Sequence, residues 1–210
     1  MKHVAILAAL LLPPAALASD LDALVTKVVD TYGGSAAWAK VTSIDETGRV
    51  EPSMRKGPGA MTRNWRAAGS LRVEIVYPDK TEVRVMENGK GINNGRESSA
   101  MELDGMRLQA ARLALPRLLA DKNASLRDLG TKDNIRSVEI ALDAPLTVTV
   151  DIDTLTGRIV RSVGRAKEVA FTTVYDDFRT VSGLLIAFHE GNSAMGMKTA
   201  DIYLEKVEVK

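Results

Sequence analysis

Residues 71–95 read LRVEIVYPDKTEVRVMENGKGINNG, and their rhythm decides the fold. Leu71, Val73, Ile75 and Tyr77 alternate with Arg72, Glu74, Val76 and Pro78, and Val83 and Val85 alternate with Glu82, Arg84 and Met86. A period of two places one set on each face of a pleated strand. Asn88-Gly89 supplies the left-handed pair that a tight hairpin turn takes, and Asn94-Gly95 repeats it a few residues later. Half-buried strands joined by such turns predict an antiparallel sheet with one apolar face.

The same rhythm returns towards the C-terminus. Leu146, Val148, Val150 and Ile152 alternate with Thr147, Thr149, Asp151 and Asp153, a turn is expected over 154–157, and Ile159, Arg161 and Val163 continue. Val169, Phe171, Thr173 and Tyr175 follow, then 184–188. In the last strand Ala200, Ile202 and Leu204 give way to Val207 and Val209, a change of phase that predicts a bulge near Glu205.

Two stretches carry the helical period instead. Over 20–32, Leu21, Leu24, Val25, Val28, Val29 and Tyr32 share one face, with Ser19 or Asp20 as the cap and Gly33-Gly34 as the stop. Ser35 is expected to cap a short helical turn through Trp38. Over 101–121 the apolar face is Leu108, Ala111, Leu115, Leu118 and Leu119, and Pro116 must break it and open a new segment. The order is one helix, about four strands, a broken helix and about six strands, an α+β arrangement. The helices can bury their apolar faces only against a strongly curved antiparallel half-barrel, on its concave side.

The first residues read differently. Lys2 and His3 precede an apolar run from Val4 to Leu12, Pro13-Pro14 breaks it, and Ala16-Leu17-Ala18 offers a small-x-small cleavage step. Residues 1–18 are therefore expected to be a cleaved secretory signal, since a permanent span needs about 20 apolar residues. Residues 19–210 are expected to form a single domain. Lys2 is the one charged residue of the leader, so 28 basic side chains fall to 27 against 27 acidic ones. That balance gives no pull towards nucleic acid and no polybasic patch for stable membrane attachment. The chain has no cysteine, which removes disulfides, thiol nucleophiles and lipidation at cysteine.

Chemistry-bearing residues are few. His189 is the one imidazole after the leader, too little for a zinc site or a Ser-His-Asp triad without a nucleophile elbow. Asp151 with Asp153, and Asp176 with Asp177, are read as solvent-facing strand and turn residues rather than a glycosidase pair. Met195 and Met197 beside Gly196 are read as apolar packing rather than a copper site. Arg63, Arg66 and Arg72 are read as a solvated basic strand face. Nothing here identifies an enzyme, a metal or a cofactor.

Two motifs carry a resemblance. The stretch TVDIDTLTGRIVRSV, residues 149–163, resembles the strand, Asp, Thr-Gly turn and strand of periplasmic outer-membrane lipoprotein-sorting proteins. Val174-Tyr-Asp-Asp-Phe-Arg-Thr-Val-Ser-Gly-Leu-Leu-Ile is similar to their Tyr-x-Asp-aromatic-Arg strand-turn-strand, and Tyr32-Gly33-Gly34 and Leu115-Pro116-Arg117-Leu118-Leu119 fit as well. This is the LolA-like superfamily. The resemblance implies an open half-barrel closed by helices over a hydrophobic cavity, in a soluble periplasmic monomer. It implies a carrier for lipid or lipoprotein acyl chains, and the alternative is a docking module for an envelope protein on the same fold. The residues expected to line the cavity are Leu71, Val73, Ile75, Val83, Val85, Leu108, Leu115, Leu118, Val148, Val150 and Phe171.

Overall fold

The computed structural model describes the backbone of residues 14–210 and the side chains of residues 20–210. Most of the expected leader, residues 1–18, lies outside them. Helix α1 (Pro14–Thr31) and helix α2 (Ser35–Lys40) precede strands β1 (Ser43–Pro52), β2 (Gly59–Arg66), β3 (Ser70–Val76), β4 (Thr81–Glu87), β5 (Lys90–Asn93) and β6 (Arg96–Glu97). Helices α3 (Ala100–Leu113) and α4 (Leu115–Ala120) follow. Strands β7 (Leu126–Lys132), β8 (Ile135–Ala141), β9 (Leu146–Asp153), β10 (Ile159–Ala166), β11 (Val169–Val181), β12 (Leu184–Ala194) and β13 (Met197–Val209) complete the chain.

All 13 strands form one antiparallel sheet in the order β6-β5-β4-β3-β2-β1-β13-β12-β11-β10-β9-β8-β7. Two meanders are joined where the first strand pairs with the last, and the sheet does not close. Its curvature follows from α3, which lies against both β5 and β9. On a flat sheet those strands would be about 43 Å apart at ~4.8 Å per strand. A helix of 14 residues spans only about 21 Å. The sheet must therefore bend around it.

The local reasons are legible. Asn88 and Asn94 take φ of 51° and 50°, each followed by a glycine with positive φ, and these pairs turn β4 into β5 and β5 into β6. Thr47 pairs with Lys206 but Gly48 pairs with Leu204, so Glu205 is the bulged residue at the expected place. A Cβ on Gly48 would meet the Tyr203 carbonyl oxygen at 2.2 Å, so only glycine fits there. The helix breaks ahead of Pro116, which sits in the first turn of α4, where a proline costs no hydrogen bond.

Several expectations are corrected. The strands number six and seven on either side of α3–α4, because β1 and β2 are separate and β7 and β8 carry no long apolar run. Helix α1 extends back to Pro14, and Asp20 pairs with Arg136 at 2.7 Å rather than capping. Ser35 is the first residue of α2, behind Gly34 as its cap. A bulge between Ile159 and Arg161 reverses the phase of β10, so Ser162, Gly164 and Ala166 are buried in place of Arg161 and Val163.

Side chains fasten α1 to the sheet and α2 to the end of α1. Lys27 Nζ donates to the carbonyls of Thr154 and Leu155 at 2.7 and 2.9 Å, at the β9–β10 turn. The Tyr32 hydroxyl accepts from the Ile159 amide at 3.0 Å, and Trp38 Nε1 donates to the Tyr32 carbonyl at 2.9 Å. No described helix is long and apolar enough to cross a membrane.

Candidate functional site: a charged cluster beside an apolar cavity

The register carries one face across the sheet. Leu71, Val73 and Ile75 on β3 oppose Trp65, Arg63 and Met61 on β2, which oppose Ile44, Glu46 and Gly48 on β1. Beyond the junction Val50 opposes Ile202, Ile202 opposes Glu190, and the row continues through Tyr175 on β11. Most of this face is apolar and buried, and at its centre stands Arg63, fully buried. Its guanidinium donates to Glu190 through two bonds of 3.1 and 2.6 Å, and through Nε to Glu46 on the neighbouring strand.

This corrects the reading of Arg63, Arg66 and Arg72 as one solvated face. Position 63 has the parity of Met61 and Trp65, so it points inward. Arg66 and Arg72 point away and pair with Asp45 and Glu74. Glu46 and Glu190 share the inward parity of Ile44 and Phe188, a signal the sequence held and charge alone concealed.

The two carboxylates are not equivalent. Burial pushes Glu46 above the ordinary glutamate range, beyond what Arg63 restores. Burial works against the Glu190 charge as well, but the bidentate Arg63 and the nearby Arg112 outweigh it and hold Glu190 low. Arg112 of α3 donates to Asn192 Oδ1 at 2.9 Å, and Asn192 Oδ1 also accepts from Thr173 at 2.8 Å.

Beside this cluster, between α3 and the sheet, is a cavity of about 630 Å³. Its lining includes Ile75, Tyr77, Leu108, Phe171, Ala194 and Ile202, with Arg84 and Arg112 among them. Gly164 lets α3 approach, since a Cβ there would meet Leu108 at 3.2 Å. Met54 and Met101, both largely exposed, also line it. A second cavity of about 60 Å³ reaches Glu46, Arg112 and Glu190, and a groove of about 640 Å³ runs between α2, α3 and α4.

Of the residues expected at a cavity, Ile75, Leu108 and Phe171 line the large one. Leu115 lines the small cavity and Leu118 the groove. Leu71, Val73, Val148 and Val150 are buried in the packed sheet face, outside all three linings. Val83 and Val85 oppose Glu74 and Arg72, on the other face from Leu71, Val73 and Ile75. The β3–β4 turn sets that register and sends Glu82, Arg84 and Met86 inward.

The residues weighed for catalysis lie elsewhere. Asp151 is buried rather than solvent-facing, held by Arg161 at 2.5 Å and Ser137 at 2.6 Å. Asp153 accepts from the Leu155 amide in the β9–β10 turn, and Asp177 pairs with Arg179. His189 lies between Asp176 at 2.9 Å and Asp201 at 3.4 Å, stacked on Tyr203. Among the described residues no three His, Cys, Asp or Glu side chains are grouped to hold a metal ion.

No protein-family model and no curated protein matches this chain. Solved structures do. A LolA superfamily protein from Nitrosomonas europaea superposes with a TM-score of 0.57 at 10% identity, covering 90% of this chain and 93% of that one. A DUF1329 family protein from Desulfovibrio piger superposes with a TM-score of 0.50 at 10% identity, covering 95% and 94%. The open curved sheet is thus a LolA-like fold, as the two sequence motifs implied. At this identity the likeness speaks to fold alone.

Proposed function

We propose that this chain is an exported, periplasmic, monomeric carrier, not an enzyme, that holds an acyl chain of a lipid or lipoprotein. Residues 1–18 are its leader and 19–210 its single carrier domain. The observation that carries the reading is the cavity of about 630 Å³ between α3 and the apolar sheet face, within the ~300–1,000 Å³ usual for ligand sites. Each methylene buried there contributes about 0.8 kcal/mol, so a chain is held without any catalytic or metal group. Helix α3 serves as the cover, and the break at Pro116 separates it from α4.

The test is uptake of a fluorescent fatty acid by the purified protein and by Ala194→Trp, which puts an indole into the cavity. Saturable uptake by the wild type, lost in a variant that unfolds at the same temperature, is expected. No uptake by the wild type sinks the carrier reading. The second reading, docking of an envelope protein, draws on the groove lined by Ala36, Ala39, Ala111 and Ala114.

A further inference from the structure

The lining of the large cavity carries one more guanidinium than carboxylates. It holds three guanidiniums, Arg55, Arg84 and Arg112, and two carboxylates, Glu82 and Glu102. Both carboxylates are already taken. Glu82 pairs with Arg55 at 2.6 Å and Lys80 at 2.9 Å. Glu102 is held by Arg96 and closes the capping box of α3 with Ser99. Among the described residues, neither Arg84 nor Arg112 has a carboxylate within ion-pair distance, and Arg112 spends one donor on Asn192. The buried trio beside them, Arg63 with Glu46 and Glu190, has one carboxylate in excess and is partly offset by Arg112, which leaves Arg84 as the guanidinium least matched.

Arg84 is half-buried on an inward strand position, with no carboxylate bonded to it. Burial lowers the pKa of Arg84, Glu82 and Tyr77 oppose that, and Arg112 and Arg63 add to it. Arginine's planar fork matches a carboxylate or phosphate oxygen pair.

At about 630 Å³ the cavity has room for at least one long acyl chain. We infer that the cavity is built for an acyl amphiphile with a compact anionic headgroup, carboxylate or phosphate, bound by Arg84 with Arg112 beside it and with its tail along Leu108, Phe171 and Ile202. This deepens the carrier reading and rests on it.

The experiment is displacement of cis-parinaric acid from the delipidated protein by palmitate, monopalmitoyl phosphate and hexadecanol. At least one of the two anions is expected to displace the probe at least tenfold better than the alcohol, and their rank names the headgroup. Arg84→Met and Arg112→Met are each expected to reduce that preference while hexadecanol binds as before. Equal displacement by anions and alcohol overturns the headgroup site and leaves the carrier reading standing. Binding of no amphiphile at all overturns both. The wild-type comparison decides the question even if a variant does not fold.

Discussion

Replacing Arg63 by methionine leaves Glu46 and Glu190 facing each other on a buried sheet face with no bonded cation. Breaking a buried ion pair by removing one partner costs about 3–5 kcal/mol, because the remaining charge is desolvated and uncompensated. Arg63, Glu46 and Glu190 are all buried, so solvent screens little of this. For a domain of this size each kcal/mol shifts the midpoint by about 2–4 °C, so Arg63→Met should unfold roughly 6–20 °C below the wild type. With Arg63 gone, both carboxyls have folded pKa values above their unfolded ones. They bind protons more readily in the folded state, so the deficit should shrink as pH falls from neutral towards the ordinary glutamate range. Adding Glu46→Leu and Glu190→Leu to Arg63→Met should restore most of the stability, since an apolar replacement of a buried pair is often neutral or better. Thermal unfolding by circular dichroism across that pH range reads all three. A single-variant loss below about 1 kcal/mol, the scale of an exposed pair, would refute the reasoning.

Other outcomes follow from the same geometry. Glu190→Gln should destabilise more than Glu46→Gln at neutral pH in urea unfolding, because Glu190 holds its charge through two bonds and Glu46 is strained by burial. The contribution of Glu46 grows as pH falls through its raised value, so the lead of the wild type over Glu46→Gln should widen on acidification. Gly48→Ala drives a methyl into the Tyr203 carbonyl at the bulge and should cost about 3 kcal/mol or more, seen as a lower denaturation midpoint. Leu108→Ala removes a buried side chain from the contact between α3 and Gly164 and should cost about 2–5 kcal/mol in the same assay.

The sequence revealed the elements whose physics is local. The Asn-Gly pairs, the stop at Gly33-Gly34 and the break at Pro116 each follow from backbone preferences of one or two residues. The bulge at Glu205 was legible because the apolar phase slips there. Strand β7 was not, because it is an exposed edge rich in charge with no buried alternation, and β8 alternates but opens its inward face with a charged residue, Arg136. Faces were harder than strands. Val83 and Val85 alternate as well as any inward pair, yet register with β3 turns them outward. Arg63 looks like Arg66 and Arg72 by type, and only its parity with Met61 and Trp65 separates it. The partners that make its burial tolerable lie 17 and 127 residues away, and a pairing at that separation leaves no local signature.

The carrier claim is tested most directly by native mass spectrometry of the protein released from its own cells without detergent, before and after solvent extraction. The expected result is a mass surplus of one acyl-bearing molecule that extraction removes and added lipid restores. A bare mass at every stage, with no uptake of added lipid, would contradict it.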